Sequence, residues 1–319
     1  MLFKDYQIIE KIGEGGMAET YLARSKGSNL VVLKVLRKNE YSKQELTRFK
    51  EEARQLQTLN HANVVNILDF VNTEESYAIV MEYLEGGDLK SFIDEHKPLS
   101  NGQIQNYFNQ IKGALEYIHS QGIVHRDIKP SNFIFDKNGV VKLTDFGIAK
   151  DTCLENGTIT LEALGTPGYM SPEQVFENEV ITSKSDYYSL GVVLWEMVSG
   201  KKLLDDSTSV YEKYNKIVNK RLPKTGTIWD GLILNLTYKD PDKRNLKIKN
   251  VRNTNLALVI TLIFLLLTTA AVYVFYSTKN ITNDESTGTQ SPRDPNSKSV
   301  CMKQDQISKL YGLYDKMNH

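Results

Sequence analysis

The chain has 319 residues, room for one large domain or two, and its 39 lysines and arginines equal its 39 aspartates and glutamates. That balance gives no charge excess to draw it to nucleic acid, and two cysteines, Cys153 and Cys301, are too few for a zinc site or a disulfide framework. The opening MLFKDYQIIEK has no apolar run, which predicts no signal peptide.

Short β-type runs come first. YQIIEKIG, ETYLARS and LVVLKVL, from Tyr6, Glu19 and Leu30, read as strands, the last two joined by a hairpin turn at Lys26-Gly27-Ser28-Asn29. Ser42 with Glu45 forms a capping box, and apolar residues at Leu46, Phe49, Ala53 and Leu56 carry a helix onward. Two further strands are predicted around VVNILDFV and YAIVMEYL. Past Gly86-Gly87 the pattern turns helical: Ser100 with Gln103 opens a second capping box, on a long amphipathic helix ending near Gln121 and Gly122. A turn at Asp136–Gly139 separates FIF from VVKLTDFG, and more helices are predicted near 183–199, 208–219 and 228–238. A strand-rich part followed by a larger helical part, with a cleft between them, is an α+β arrangement.

From Leu256 to Tyr276 the chain runs 21 residues without a charge, proline or glycine. At 1.5 Å per residue this is about 31 Å of helix, close to the ~30 Å hydrocarbon core of a bilayer, and it predicts a membrane span. Tyr273 and Tyr276 suit the interface at one end. Lys247, Lys249 and Arg252 precede it in a basic linker, 247–255, whereas Lys279 follows with Asp284 and Glu285 nearby. The basic side stays inside, which predicts a single-pass protein of the cell membrane with a cytoplasmic N-terminal part. The outer tail, 277–319, is rich in Ser, Thr, Asn and Asp, a composition that predicts disorder.

Chemistry gathers at four places. Gly13 and Gly15, in IGEGGMAETYLA, fit either an ordinary hairpin turn or a loop whose backbone amides approach phosphates. Lys34 interrupts an apolar strand, where a charge is costly unless it snorkels out or finds a partner. A helical projection puts Phe49, Ala53 and Leu56 on the buried face of the next helix, Glu52 at its edge and Glu51 opposite, so Glu52 is the carboxylate paired with Lys34. HRDIKPSN, from His125 to Asn132, is a solvated turn or a loop in which Asp127 takes a proton and Asn132 holds a metal. Asp145-Phe146-Gly147, thirteen residues beyond Asn132, is a turn or a strand-end carboxylate for a hard cation such as magnesium.

With Lys34, Glu52, HRDIKPSN and DFG in that order, the chain resembles a bacterial eukaryotic-type (Hanks-type) serine/threonine protein kinase from Tyr6 to Leu246. GTPGYMSPE at Gly165–Glu173, DYYSLG at Asp186–Gly191 and DPDKR at Asp240–Arg244 add to the match. The resemblance implies a bilobal protein-kinase fold over 6–246, ATP and magnesium as cofactors, and Ser/Thr hydroxyls of proteins as substrates. Asp127 would orient the substrate hydroxyl and accept its proton, and Lys129 would contact the γ-phosphate. Asn132 and Asp145 would hold magnesium, and Lys34 the α- and β-phosphates, itself held by Glu52. Ile12, Gly13, Gly15, Thr20, Val32, Met81, Glu82 and Leu84 would line the nucleotide site, Glu82 and Leu84 through backbone groups. Glu173 would pair with Arg244 in a structural role.

The chain departs from the family pattern at three places: Ala18 stands for the third glycine of the loop, Thr20 for the valine of the adenine roof and Val32 for an alanine. These changes narrow or polarise the adenine pocket and leave the charged groups untouched. Thr152, Thr158 and Thr160 fall where related kinases are phosphorylated, with Arg126 as the phosphate's partner, and Thr166 belongs to the GTPGY match near Asp127. Autophosphorylation of this kind admits a homodimer acting in trans. The other reading is a pseudokinase scaffold that binds nucleotide or partners without catalysis, against which Lys34, Asp127, Asn132 and Asp145 all stand intact.

Overall fold

Six antiparallel strands build the first lobe in this computed structural model, which describes residues 2–14, 18–38, 42–146, 167–176, 180–204, 209–246, 261 and 263–272. They are β1 (Leu2–Phe3), β2 (Tyr6–Glu14), β3 (Glu19–Ser25), β4 (Leu30–Arg37), β5 (Ile67–Asn72) and β6 (Ser76–Glu82), in the sheet order β1-β2-β3-β4-β6-β5. The chain divides into two units, Met1–Lys249 and Asn250–His319.

Alternation along β4 sorts its side chains. Val31, Leu33 and Val35 join Ala23, Val71, Ala78 and Val80 in one cluster, and Val32 and Leu36 belong to another on the opposite face. Lys34 lies between those two in the two-residue period, so it shares their face. There helix α1 (Lys43–Gln57) adds Phe49, Ala53 and Leu56, with Phe49 stacked on Tyr77 at 6.2 Å between ring centroids. Each such large side chain contributes roughly 1.5–3 kcal/mol by leaving water.

The second lobe is mostly helical: α2 (Leu89–His96), α3 (Asn101–Ser120), a hairpin of β7 (Phe133–Phe135) and β8 (Val141–Leu143), α4 (Pro172–Val175), α5 (Ser183–Ser199), α6 (Val210–Asn219) and α7 (Asp230–Leu236). The Ser100–Gln103 capping box forms in both directions at the start of α3, and Gly122 follows its end with φ +75°. Between Ser185 and Met197 only Tyr187 of α5 is not fully buried, which makes α5 the central helix. Gly191 permits that position, since a Cβ there would come 2.5 Å from Thr237 Cγ2 and 2.8 Å from Leu236 Cβ at the crossing with α7.

β1 was not among the strands read from the sequence, and four other elements differ from that reading. β5 begins at Ile67 rather than near Val64, because residues 63–65 bond β8 instead: Val65 N–H donates to Leu143 O, and Leu143 N–H to Asn63 O, both at 2.9 Å. α6 and α7 begin at Val210 and Asp230, later than expected, and α4 is a short helix the pattern had not separated. No helix among the described residues is long and apolar enough to cross a membrane. The expected span, 256–276, lies partly outside those residues; the part described, 263–272, is helical and exposed throughout. The linker 247–255 and the tail 277–319 lie outside them altogether.

Candidate active site

The loop after α3 is held from α5. The buried Asp186 accepts the His125 N–H on Oδ2 and the Arg126 N–H on Oδ1, both at 2.8 Å, and its Oδ2 lies 2.7 Å from His119 Nε2. One carboxylate thus holds two successive amides. The Asp127 N–H donates to His125 Nδ1 at 3.3 Å, so Nδ1 is the acceptor and Nε2–H donates to Thr144 O at 3.0 Å. The buried imidazole therefore ties the loop to the residue before Asp145. Arg126 and Asp145 both occupy the left-handed region, at φ 65° and 58°, where a side chain costs on the order of 1–3 kcal/mol unless its surroundings enforce it. At Arg126 the Asp186 clasp does so.

This framework collects the charged groups. Asp127 Oδ2 meets Lys129 Nζ at 3.0 Å and Asn132 Nδ2 at 3.1 Å, while the same Nδ2 donates to Asp127 O at 2.7 Å. Thr144 N–H donates to Asn132 O at 2.9 Å, which sets Asn132 beside the strand end that carries Asp145. Phe146 is buried and tilts against His125 at 5.1 Å between centroids.

Lys34 Nζ lies 3.1 Å from Asp145 Oδ1. The Lys34 charge, more than the burial that opposes it, holds the Asp145 carboxyl below its usual range, so it stays ionised. Among the described residues the carboxylate seen to meet Lys34 is Asp145, from the other lobe, where the sequence reading expected Glu52. A helical projection fixes the face on which Glu52 lies but not how closely α1 approaches β4.

The residues expected to line a nucleotide site can be placed by the sheet register. Thr20 pairs with Lys34, and Val32 with Met81, so all four share the face from which Lys34 reaches Asp145. Gly13 lies opposite Thr20, where a Cβ would make an ordinary 3.5 Å contact, so packing alone does not demand glycine there. Ile12 sits at the irregularity between Lys11 and Gly13 and is exposed, and Leu84 packs half-buried against the core. Glu82 ends β6, and its Oε1 accepts from Lys142 Nζ at 2.7 Å and from Asn66 N–H at 2.8 Å. Gly15, Thr152, Thr158, Thr160 and Thr166 lie outside the described residues.

A cation and a triphosphate suit these groups. Asn132 spends its N–H₂ on Asp127 and leaves its carbonyl oxygen, while Asp145 offers an ionised carboxylate; hard oxygen donors of this kind fit magnesium. Lys34 and Lys129 add positive charge for phosphates.

On the far side of the loop, Glu173 of α4 meets Arg244 with Oε1–Nη1 at 2.5 Å and Oε2–Nη2 at 2.7 Å, and accepts from Ser185 Oγ at 2.7 Å. Burial alone would raise the Glu173 carboxyl, but the Arg244 bonds and charge, aided by Ser185, outweigh it and hold it low. Its neighbour Gln174 accepts on Oε1 from Ser171 N–H at 2.9 Å and Ser171 Oγ at 3.1 Å, and donates from Nε2 to Arg126 O at 3.0 Å. The sequence reading gave no role to Gln174, Asp186, His125 or Lys142. His125 and Asp186 lie within motifs already quoted, and Gln174 carried a cap signal of its own: Ser171 and Gln174 repeat the Ser-x-x-Gln spacing of the α3 cap.

Residues 6–257 match the protein kinase domain family. The chain is 39% identical over 249 residues to the serine/threonine-protein kinase PrkC of Bacillus subtilis, covering 75% of this chain and 38% of that protein. It is 36% identical over 254 residues to the probable serine/threonine-protein kinase PknB of Lactococcus lactis, covering 76% of this chain and 40% of that protein. The match thus spans about two fifths of the length of these curated relatives. The fold is similar to the crystal structure of Rad53 1–466 in complex with AMP-PNP, with a TM-score of 0.64 and 28% identity over 76% of this chain and 62% of that one.

Proposed function

The chain belongs to the protein kinase domain family, and from that membership we propose that it is a serine/threonine protein kinase, transferring the γ-phosphoryl group of ATP to Ser/Thr hydroxyls of proteins. The observation that carries the reading is the convergence of Asp127, Lys129 and Asn132 within about one hydrogen bond of each other, beside Asp145 and Lys34. Phosphoryl transfer passes through a loose transition state that needs positioning and charge neutralisation more than covalent help. Asp127 orients the attacking hydroxyl and accepts its proton. Lys129, 3.0 Å from that carboxylate, presents a cation to the phosphoryl group in transit. Lys34 would hold the α- and β-phosphates, and Asn132 with Asp145 would hold magnesium, which when bound would neutralise phosphate charge.

The test uses the purified full chain in detergent with radiolabelled ATP and a generic protein substrate. Asp127→Asn removes the base while keeping its size, and transfer should fall by roughly 10²-fold or more. Near wild-type turnover in that variant would overturn the assignment.

The protein is held in the cell membrane by 256–276, with the kinase domain cytoplasmic and 277–319 outside. Supporting this are the 21 uncharged residues, the basic flank of Lys247, Lys249 and Arg252, and the exposed apolar side chains of Ile263 to Leu267 and Val272. Protease added outside intact cells should trim the tail and spare 6–246; digestion of the kinase domain would reverse the orientation.

A further inference from the structure

We infer that Gln174 is a positioning residue, holding the catalytic Asp127 in line by gripping the carbonyl of Arg126 from the helix that follows the GTPGYM segment. The inference rests on the kinase reading and adds to it a physical link between α4 and the base.

The geometry is specific about direction. Ser171 places two donors, its N–H and its hydroxyl, on Gln174 Oε1, which fixes the amide with Nε2 on the other side. Nε2 then donates 3.0 Å to Arg126 O. That carbonyl belongs to the peptide unit whose N–H is Asp127's, and this N–H donates to His125 Nδ1 at 3.3 Å. Both ends of the Arg126–Asp127 peptide plane are therefore held by side chains. One peptide earlier, the Arg126 N–H is held by Asp186. Arg126 itself sits at φ 65°, a conformation that relaxes if its neighbours let go. Rotation of the Arg126–Asp127 peptide would swing the Asp127 Cα and move the carboxylate away from the hydroxyl it must deprotonate. Misplacements of about 1 Å at this step are costly, since much of the rate comes from alignment.

The helix that carries Gln174 is itself fixed, because the adjacent Glu173 is locked to Arg244 and Ser185. The bond therefore joins two anchored pieces. It differs from Asp186, which acts from the central helix on the other end of Arg126.

Two substitutions separate donation from packing. Gln174→Glu keeps an oxygen for Ser171 and suits the cap equally well, but turns a carboxylate oxygen toward the Arg126 carbonyl in place of a donor. Gln174→Met keeps the length and removes donor and acceptor alike. With ATP and a peptide substrate at pH 8, both should lose roughly tenfold or more in kcat while KM for ATP stays within about twofold. Melting should leave Q174E within a few degrees of wild type.

Protonation of the new carboxyl restores an O–H where the amide N–H stood. The charged residues on the elements it touches or packs against are Glu173 on its own helix, Arg126, Asp127 and Lys129 on the loop that Asp186 holds, and Glu212, Lys213 and Lys216 on α6, which packs on α4. All of these are common to the wild type, so the ratio of variant to wild-type kcat removes their shared titration. That ratio should climb for Q174E as pH falls from 8 to 5.5 and stay flat for Q174M. Unchanged kcat in either variant, or an equal pH-independent loss in both, would overturn the inference while leaving the kinase reading standing. Absence of transfer by the wild type would overturn both.

Discussion

Arg244 is wholly buried, and all five of its N–H donors are used. Besides the two bonds to Glu173, Nε donates to Tyr238 O at 2.6 Å, Nη1 to Lys184 O at 2.9 Å and Nη2 to Lys239 O at 3.0 Å. Arg244→Met keeps part of the volume but leaves Glu173 as a buried carboxylate supported by Ser185 Oγ, with three carbonyls unmatched. Breaking a buried pair from one side costs about 3–5 kcal/mol. In a domain of this size each kcal/mol moves the midpoint by roughly 2–4 °C, so melting should fall by roughly 6–20 °C, followed by circular dichroism. The double variant Arg244→Met/Glu173→Met removes the stranded charge and should recover much of the loss. The sign with pH follows from Glu173: its folded value lies below the unfolded value of about 4.5, so its contribution is complete above that pH and is lost as pH falls through the folded value. In the single variant burial would raise the same carboxyl, so the stability gap between wild type and Arg244→Met should narrow as pH falls toward and below about 4.5. A midpoint within ~2 °C of wild type at pH 7, or a double variant no better than the single, would refute the reasoning.

Three further outcomes can be measured. Val32 faces Met81 across the sheet on the side that carries Lys34, so Val32→Ala should change KM for ATP more than kcat; an unchanged KM would remove Val32 from the nucleotide's surroundings. Lys142→Met breaks the 2.7 Å pair with Glu82 that joins β8 to the end of β6, and should cost about 1–2 kcal/mol and raise KM for ATP; melting and ATP titration both unchanged would count against that link. Incubation of the full chain with Mg-ATP should put phosphate on Thr158 or Thr160 ahead of Thr152, read by mass spectrometry; an active preparation with none of the three modified would remove Arg126 as a phosphate receptor.

What was legible in the sequence was local. The period-two run LVVLKVL marked β4 and put Lys34 on a defined face, and Ser100 with Gln103 marked the start of α3 within a residue. The loop from His125 to Asn132 stood out because its charged and polar groups are packed into eight consecutive residues. What escaped were partners brought together by the fold. Lys34 meets a carboxylate 111 positions away, where the sequence reading looked to the adjacent helix, and the His125 amide meets one 61 positions away on α5. Periodicity gives a side chain's face; it contains no distance between elements, and those distances come from packing of the whole core.

The consequence is clearest at α4, a helix of four residues too short to be stable alone. Two adjacent side chains on it point to opposite duties: Glu173 is fixed through Arg244 to the base of the lobe, and Gln174 reaches the carbonyl beside Asp127. Such a helix keeps its place only through these anchors, so weakening one should be felt at the other. Arg244→Met, assayed well below its own melting point, should then show a lowered kcat with KM for ATP little changed, matching Gln174→Met in kind. If its kcat equals that of wild type while its midpoint has fallen, the Glu173 anchor supports the lobe alone, and α4 stays in register with the catalytic loop through Gln174 and Ser171.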